Sequence, residues 1–213
     1  MIPFNPIAMA SLFLISASSY IAIRTFSPFS GDWMIKIIPI AVLLYWVIQT
    51  LTGKTKALMT IALLCSMVGD VLLSLEGLFI PGLGAFLLAQ LTYTYLFLSQ
   101  FQWQWRRLSW VLMIVLYTAI CAAGILPASG DLKWVITAYL CAIMTMAISA
   151  GFRKDEHFLI SGLGAFIFMI SDTLIAVNKF VLPFAGAGMA IMVTYYLAQW
   201  LIAFGIVRHQ IRQ

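Results

Sequence analysis

The sequence predicts an all-α integral membrane protein with eight transmembrane helices, on three observations. Of its 213 residues, 63% are hydrophobic and only 9% are charged, whereas soluble domains carry about 25% charged residues. The mean hydropathy is +1.04. Apolar segments of about 20 residues, the length that one crossing requires, follow one another with connections too short for a soluble domain. We therefore expect residues 1–213 to form a single membrane domain.

The eight apolar segments are, in chain order, 6–23, 34–52, 57–75, 80–100, 108–126, 132–150, 158–177 and 182–207. The first has no basic region before it and no small-residue cleavage site after it, which favours a retained helix over a signal peptide. Pro39, Pro81 and Pro183 lie close to segment ends, where proline is tolerated. We therefore expect none of the segments to be a broken helix.

The basic residues are distributed unevenly between the two ends of the predicted bundle. Eight lie at one end, namely Lys54, Lys56, Arg106, Arg107, Arg153, Lys154, Arg208 and Arg212, and four at the other, namely Arg24, Lys36, Lys133 and Lys179. By the positive-inside rule, this distribution places both termini in the cytoplasm. The basic residues form no continuous stripe, so we expect no nucleic-acid partner.

Two aspartates, Asp70 and Asp172, lie inside the third and seventh apolar segments. An Asp at the centre of a membrane helix costs roughly 2.5 to 3.5 kcal/mol, and such acids usually face a cavity and mark a functional site. Each lies about five residues, or roughly 8 Å, from the helix end opposite the cytoplasm. A structural role, with each carboxyl protonated and hydrogen-bonded to a neighbouring helix, is the alternative.

An internal repeat emerges when the two aspartates are superimposed. Asp70 is followed at +6, +11, +14, +15, +22 and +23 by Glu76, Pro81, Gly84, Ala85, Thr92 and Tyr93, and Asp172 by Asn178, Pro183, Gly186, Ala187, Thr194 and Tyr195. Segments 3–4 and 7–8 are therefore predicted to be duplicated hairpins. Because four segments separate the copies, both cross in the same direction, which gives a parallel repeat about an axis along the membrane normal.

Other polar residues within the segments are candidates for substrate binding. They are Gln90, Gln199, Tyr93, Tyr195 and Tyr196 within helices, and Glu76, Asn178 and Lys179 near helix ends. The amides could instead join helices, and the residues near the ends could be ordinary termini or connections. His157 and His209 lie in a connection and at the C-terminus, too far along the chain to join the aspartates, so we expect no metal site.

Three stretches carry a resemblance to a known family. They are Gly-Asp-Val-Leu-Leu at 69–73, Ser-Asp-Thr-Leu-Ile-Ala-Val-Asn-Lys-Phe at 171–180 and Thr-Tyr-Tyr-Leu-Ala-Gln-Trp-Leu-Ile at 194–202. The chain resembles the YhhN-like lysoplasmalogenase family over nearly its whole length. This resemblance implies hydrolysis of the vinyl ether bond of lysoplasmalogens to a fatty aldehyde and glycerophosphoethanolamine or glycerophosphocholine. It also implies a histidine in the fourth helix, where this chain has Gln90.

The two carboxyls suit that chemistry. A vinyl ether is cleaved by protonating its β-carbon, which gives an oxocarbenium ion that water then attacks. A protonated Asp serves as general acid, and an ionised partner stabilises the cation and orients the water. The sequence does not decide which Asp has which role, although Asp172, flanked by the polar Ser171 and Thr173, is the better candidate for the anion. The reaction requires no metal or organic cofactor.

A lysophospholipid within the membrane is the expected substrate. Its single chain could enter laterally between helices while the headgroup stays at the interface beside Asn178 and Lys179. The Lys179 ammonium would pair with phosphate, and Glu76 could meet an ethanolamine or choline cation. Paired acids and parallel repeats also occur in proton-coupled transporters, which is the alternative function; a scaffold with structural acids is a third interpretation.

Overall fold

Nine α-helices contain most of the residues that the computed structural model describes, which are 6–26, 29, 31–155 and 157–211. The helices are α1 (Pro6–Phe26), α2 (Trp33–Lys36), α3 (Ile38–Thr50), α4 (Gly53–Ser74), α5 (Phe79–Leu98), α6 (Leu108–Ile125), α7 (Lys133–Gly151), α8 (Phe158–Ala176) and α9 (Ala187–Ile211). Among these described residues, eight helical spans are long and apolar enough to cross a membrane. The predicted fold class and number of crossings are therefore confirmed.

The second crossing, Trp33–Thr50, consists of two helices. α2 ends at Lys36 and α3 begins at Ile38, with Ile37 between them at φ −81° and ψ −14°. Pro39 has no backbone N–H to donate, which interrupts the hydrogen-bond ladder at this point. The expectation that no segment is broken is wrong here. Because Ile37 keeps a helical conformation, the two pieces still form one crossing.

The eighth predicted segment begins five residues too early, because residues 182–186 do not belong to α9. A turn of π-helix, Val177–Val181, extends α8, and the N–H of Leu182 closes it on the Val177 carbonyl at 2.9 Å. Pro183 then lacks a backbone N–H, and Gly186 adopts a positive φ of 78°, which glycine tolerates without steric cost. Both features stop a helix from forming before Ala187.

Small residues bring neighbouring helices together within two hairpins. A Cβ placed on Gly82 of α5 would lie 2.7 Å from the Leu73 side chain of α4, and one on Gly164 of α8 would lie 2.9 Å from Ile202 of α9. Real Cβ atoms do not approach so closely, so a larger residue at either position would force its neighbour to shift. This is the close packing that small residues permit between membrane helices.

Arg153, one of the basic residues in the charge count, is buried. At the end expected to face the cytoplasm, Arg153 is 2% exposed and reaches Asp155 at 2.8 Å and Ser161 at 2.9 Å. Burial lowers the pKa of the Arg153 guanidinium, and the neighbouring Asp155 opposes this shift. Arg153 therefore joins the α7–α8 connection to α8 instead of standing in solvent. Arg212, which entered the charge count, lies outside the described residues.

Candidate active site

Asp172 lies four residues before the last residue of α8 and is hydrogen-bonded to two neighbouring helices. Its Oδ2 accepts a hydrogen bond of 2.6 Å from the Tyr139 hydroxyl of α7 and one of 2.9 Å from the Gln90 amide of α5. Both donors are uncharged, and no salt bridge joins Asp172 to any described residue. The surroundings of Asp172 are therefore polar and without a neutralising cation.

Asp70 lies four residues before the last residue of α4 and has a cation beside it. Its Oδ1 is 3.3 Å from Lys36 Nζ, and its Oδ2 accepts a hydrogen bond of 2.7 Å from Tyr195 of α9. The same ammonium donates to the Asp70 carbonyl at 3.0 Å and to Ser74 Oγ at 3.3 Å. Both partners of this ion pair are buried. A buried carboxylate needs such a partner to remain charged.

The hydroxyls of Ser171 and Thr173, which made Asp172 the better candidate for the anion, have other partners in the structure. Ser171 donates to the carbonyl of Ile191, and Thr173 accepts from Tyr117. Neither hydroxyl reaches the carboxylate of Asp172, because adjacent residues on an α-helix point in directions about 100° apart. The features of a fixed anion belong to Asp70 instead.

Asp172 lines a narrow apolar cavity to which five helices, α4 to α8, contribute side chains. The other lining residues are Leu73, Phe79, Leu83, Phe86, Tyr117, Thr118, Cys121, Ile136, Tyr139, Leu140, Ile143, Met169, Thr173, Ile175, Ala176 and Phe180. Its free volume of about 30 Å³ holds at most a few water molecules. This cavity places a carboxyl group among side chains that would suit a hydrocarbon chain.

A second and larger cavity of about 520 Å³ opens at the end of the bundle where α4 and α8 finish. Its polar lining residues are Tyr20, Arg24, Asp32, Lys36, Ser74, Glu76, Asn178 and Lys179. Leu73, Phe79 and Ile175 line both cavities. The polar cavity and the apolar cavity therefore adjoin, with Asp172 on the apolar cavity and Lys36, the partner of Asp70, on the polar cavity.

The candidate binding residues divide into two groups. Glu76, Asn178 and Lys179 lie on the polar cavity, and Asn178 Oδ1 also accepts from the N–H of Phe184 at 3.3 Å. Lys179 Nζ lies 5.3 Å from the centre of the Phe79 ring. All three therefore stand where a headgroup could enter.

The remaining five candidates lie in the protein interior. Gln90 and Tyr195 contact the two aspartates, as described. Tyr93 donates to Gln199 at 2.7 Å, and Gln199 donates to Ser66 at 3.0 Å. Tyr196 donates to the carbonyl of Lys36 at 2.7 Å. These side chains connect helices around the site and line neither cavity.

The sequence interpretation missed Lys36 and Tyr139. Lys36 was counted with the connections, although it lies three residues into the second apolar segment, and an ionisable residue within a membrane segment is itself a sign of a functional site. Tyr139 is a lone tyrosine in the sixth segment. No spacing in the sequence relates it to Asp172.

The hydrogen bonds do not follow the register of the predicted repeat. Tyr195 reaches Asp70, whereas its counterpart Tyr93 reaches Gln199. The position that corresponds to Gln90 is Met192, which cannot donate a hydrogen bond. The internal repeat therefore stays a prediction.

Within the described part of the chain, no group of three or more His, Cys, Asp or Glu side chains could hold a metal ion.

The fold and the site define a multi-pass membrane protein with two aspartates inside membrane-spanning helices, one of which, Asp172, lines an apolar cavity that adjoins a polar cavity. Residues 31–206 match the YhhN family, and the chain belongs to this family. It is 35% identical over 147 residues to lysoplasmalogenase TMEM86B of Sus scrofa, covering 68% of this chain and 61% of that protein. It is 31% identical to the Homo sapiens TMEM86B over 82% of this chain and 75% of that protein. It is 33% identical to lysoplasmalogenase TMEM86A of Homo sapiens over 69% of this chain and 64% of that protein. No solved structure matches the chain.

Proposed function

We propose that this protein is a lysoplasmalogenase, a hydrolase of the vinyl ether bond of lysoplasmalogens, and that Asp172 is its general acid. The observation that carries the proposal is the position of Asp172 on an apolar cavity that adjoins a polar cavity. A lysolipid has a hydrocarbon chain and a charged headgroup, with the vinyl ether between them. The apolar cavity suits the hydrocarbon chain, Asp172 lies where the vinyl ether would be, and the polar cavity suits the headgroup. The relatives named lysoplasmalogenases support the same activity.

The chain of the substrate enters beside α6. The apolar cavity is too narrow for a long chain in its present form, and α6 contributes Tyr117, Thr118 and Cys121 to its wall. The outer face of α6 is apolar and exposed, with Leu112 at 69% and Ile120 at 65%, so it faces lipid. Displacement of α6 away from α8 would open the cavity directly to the bilayer.

The reaction begins when Asp172 gives its proton to the vinyl β-carbon. The π electrons form the new C–H bond, the O–H bond of the carboxyl breaks, and an oxocarbenium ion remains beside the new carboxylate. Water adds to the cation and returns a proton to Asp172. The resulting hemiacetal collapses to a fatty aldehyde and the glycerophospho product. The former ether oxygen becomes a hydroxyl group of its glycerol part.

Asp70 serves as a fixed anion near the developing cation. The Lys36 ammonium, 3.3 Å from Oδ1, favours the charged form of Asp70, and Tyr195 holds the carboxylate in place. Such a preorganised charge stabilises a transition state without having to reorient. Because both oxygens of Asp70 have partners, Asp70 is less suited than Asp172 to deliver a proton.

The headgroup occupies the polar cavity. The Lys179 ammonium pairs with the phosphate, Asn178 lies beside it, and Glu76 attracts an ethanolamine or choline cation.

We further propose that both termini are cytoplasmic and that the polar cavity opens on the opposite side, as the uneven distribution of basic residues favours. Reporter fusions at the C-terminus test this orientation, and an external C-terminus would contradict it.

The test is hydrolysis of a lysoplasmalogen by the purified protein in deuterated water. We expect a fatty aldehyde that carries one deuterium on its α-carbon, the former vinyl β-carbon, after correction for exchange of free aldehyde. The alkyl-ether lysolipid of equal length has no carbon to protonate into an oxocarbenium ion, so it should inhibit competitively and remain intact. Aldehyde without α-deuterium would rule out the mechanism. No aldehyde, with proton-coupled uptake into vesicles, would favour a transporter.

A further inference from the structure

The two carboxyl oxygens of Asp172 have different surroundings. Oδ2 accepts the hydrogen bonds from Tyr139 and Gln90. Oδ1 accepts none from the described residues, and it is not among the buried polar atoms that lack a partner. Because Asp172 lines the apolar cavity, Oδ1 is the oxygen left open towards the space beside the proposed substrate bond.

We propose that Tyr139 and Gln90 are positioning residues that fix the acidic proton of Asp172 on Oδ1. A carboxyl oxygen that accepts two hydrogen bonds has used both of its lone pairs. A proton on Oδ2 would face the Tyr139 hydroxyl at 2.6 Å and the Gln90 amide hydrogens at 2.9 Å. The proton is therefore more stable on the other oxygen. This inference rests on the proposed function and adds the residues that direct its first step.

The same two hydrogen bonds act again during proton transfer. When the Oδ1–H bond breaks, its electron pair stays on the carboxylate and the new negative charge spreads to Oδ2. Two donors already point at that oxygen, and hydrogen bonds to a charged acceptor are about twice as strong as neutral ones. Tyr139 and Gln90 therefore stabilise the transition state more than the resting acid, which is the condition for raising kcat.

The three side chains come from three different helices, which keeps their geometry rigid. Asp172 lies on α8, Tyr139 on α7 and Gln90 on α5. Tyr139 is 6% exposed and Gln90 is fully buried, so neither has room to change rotamer freely. Gln90 Oε1 has no hydrogen-bond partner among the described residues. Among the described residues, the side-chain amide of Gln90 therefore bonds only Asp172, through its N–H group.

The experiment compares Tyr139→Phe and Gln90→Met with the unchanged protein. Each variant keeps the size of the side chain and removes one donor to Oδ2. We expect kcat to fall roughly 10- to 100-fold, the effect of losing one hydrogen bond to a charged group. The KM and the dissociation constant of the alkyl-ether lysolipid should stay within about twofold, because Gln90 lines neither cavity and Tyr139→Phe keeps the ring that lines the apolar cavity. The solvent isotope effect on kcat should persist or increase.

Tyr95→Phe is the control for loss of a hydroxyl. Tyr95 is exposed and its hydroxyl bonds Lys54 at 2.7 Å, at the end of the bundle remote from Asp172, so kcat should be unchanged. Thermal unfolding of each variant in detergent, together with titration of the alkyl-ether lysolipid, gives the folded fraction to which each rate is normalised. A rate loss that follows the folded fraction would indicate packing alone and would overturn the inference.

Two further results would also overturn the inference. Full kcat in both variants would show that neither donor directs the proton. A Gln90→Met variant faster than the unchanged protein would show that Gln90 holds the proton away from the substrate. The proposed function fails in a different way, through absence of aldehyde from the unchanged protein or full activity of Asp172→Asn.

Discussion

Asp70 and Asp172 occupy corresponding places in two helices and have opposite surroundings. Each lies four residues before the last residue of its helix. Asp70 is buried against an ammonium group, whereas Asp172 borders a cavity and receives only neutral donors. Two acids at corresponding positions of their helices can therefore have different surroundings, and these surroundings suit the different tasks proposed for them. A fixed charge needs a permanent partner, and a proton donor needs one free oxygen and a route to the substrate.

Replacing each acid separately by asparagine gives the largest difference expected between them. We expect Asp172→Asn to lower kcat by about 10² to 10⁴, the usual size of a general acid contribution, with little change in the free energy of unfolding. Asparagine has the shape of a neutral aspartic acid but no acidic proton. The measurement is aldehyde release at saturating lysoplasmalogen, paired with thermal unfolding in detergent. Activity near that of the unchanged protein would refute Asp172 as the acid.

Asp70→Asn should lower stability as well as activity. Removing one partner of a buried ion pair leaves the other charge unpaired, which costs about 3 to 5 kcal/mol in free energy of unfolding. Lys36→Met should cost a similar amount. The double variant should cost less than the sum of the two single changes, because it leaves no lone charge. Chemical unfolding in detergent measures all three.

The Arg24–Asp32 pair provides the control for this result. It joins the same two kinds of charge at 2.9 Å, but the Arg24 side chain is 51% exposed. The Asp32 side chain is only 10% exposed, but the charge of Arg24 stays in contact with water when Asp32 is replaced. Asp32→Asn should therefore cost less than Asp70→Asn, closer to the value of about 0 to 1 kcal/mol for an exposed ion pair. If Asp70→Asn were equally mild, or if the effects of Lys36→Met and Asp70→Asn were additive, the buried pair would not be the feature that distinguishes the two acids.

Tyr195 and Tyr93 test whether the predicted repeat extends to function. They occupy the same register after the two aspartates, but Tyr195 bonds the charged Asp70 and Tyr93 bonds the amide of Gln199. Loss of a hydrogen bond to a charged group costs about 1.5 to 3 kcal/mol, and loss of a neutral one about 0.5 to 1.5 kcal/mol. Tyr195→Phe should therefore destabilise the protein more than Tyr93→Phe and should alone reduce kcat. Equal effects on unfolding and turnover would contradict this distinction.

The fold was largely predictable because hydropathy acts locally. The hydropathy of about 20 consecutive residues is enough to identify each crossing. The family was identified correctly from three short motifs. The exceptions arise from backbone detail: Pro39 divides the second crossing, and the π-helical turn at Val177–Val181 delays α9. The single domain and the site residues stay predictions.

The partners of the two acids were not predictable in the same way. Lys36 and Asp70 are 34 residues apart, and Gln90 and Asp172 are 82 apart. Such pairs form only when distant helices pack side by side, and the hydropathy of one segment does not reveal its neighbours. Intramembrane ionisable and hydrogen-bonding residues do indicate that partners exist. By that rule Lys36 could have been recognised as a candidate partner for an aspartate.

The smallest expected effect concerns the polar cavity, where the charged groups are open to water. Lys179→Met should raise KM for a lysoplasmalogen about two- to fivefold with kcat unchanged, because an exposed charge pair is worth at most about 1 kcal/mol and acts equally in the ground and transition states. Lys133→Met is the matched control: Lys133 is an exposed lysine at the same end of the bundle that does not line the polar cavity. The Lys179 effect should vanish with an alkenylglycerol substrate, which carries no phosphate. An unchanged KM in Lys179→Met, or an equal increase with alkenylglycerol, would place the headgroup elsewhere and leave the distinction between Asp70 and Asp172 intact.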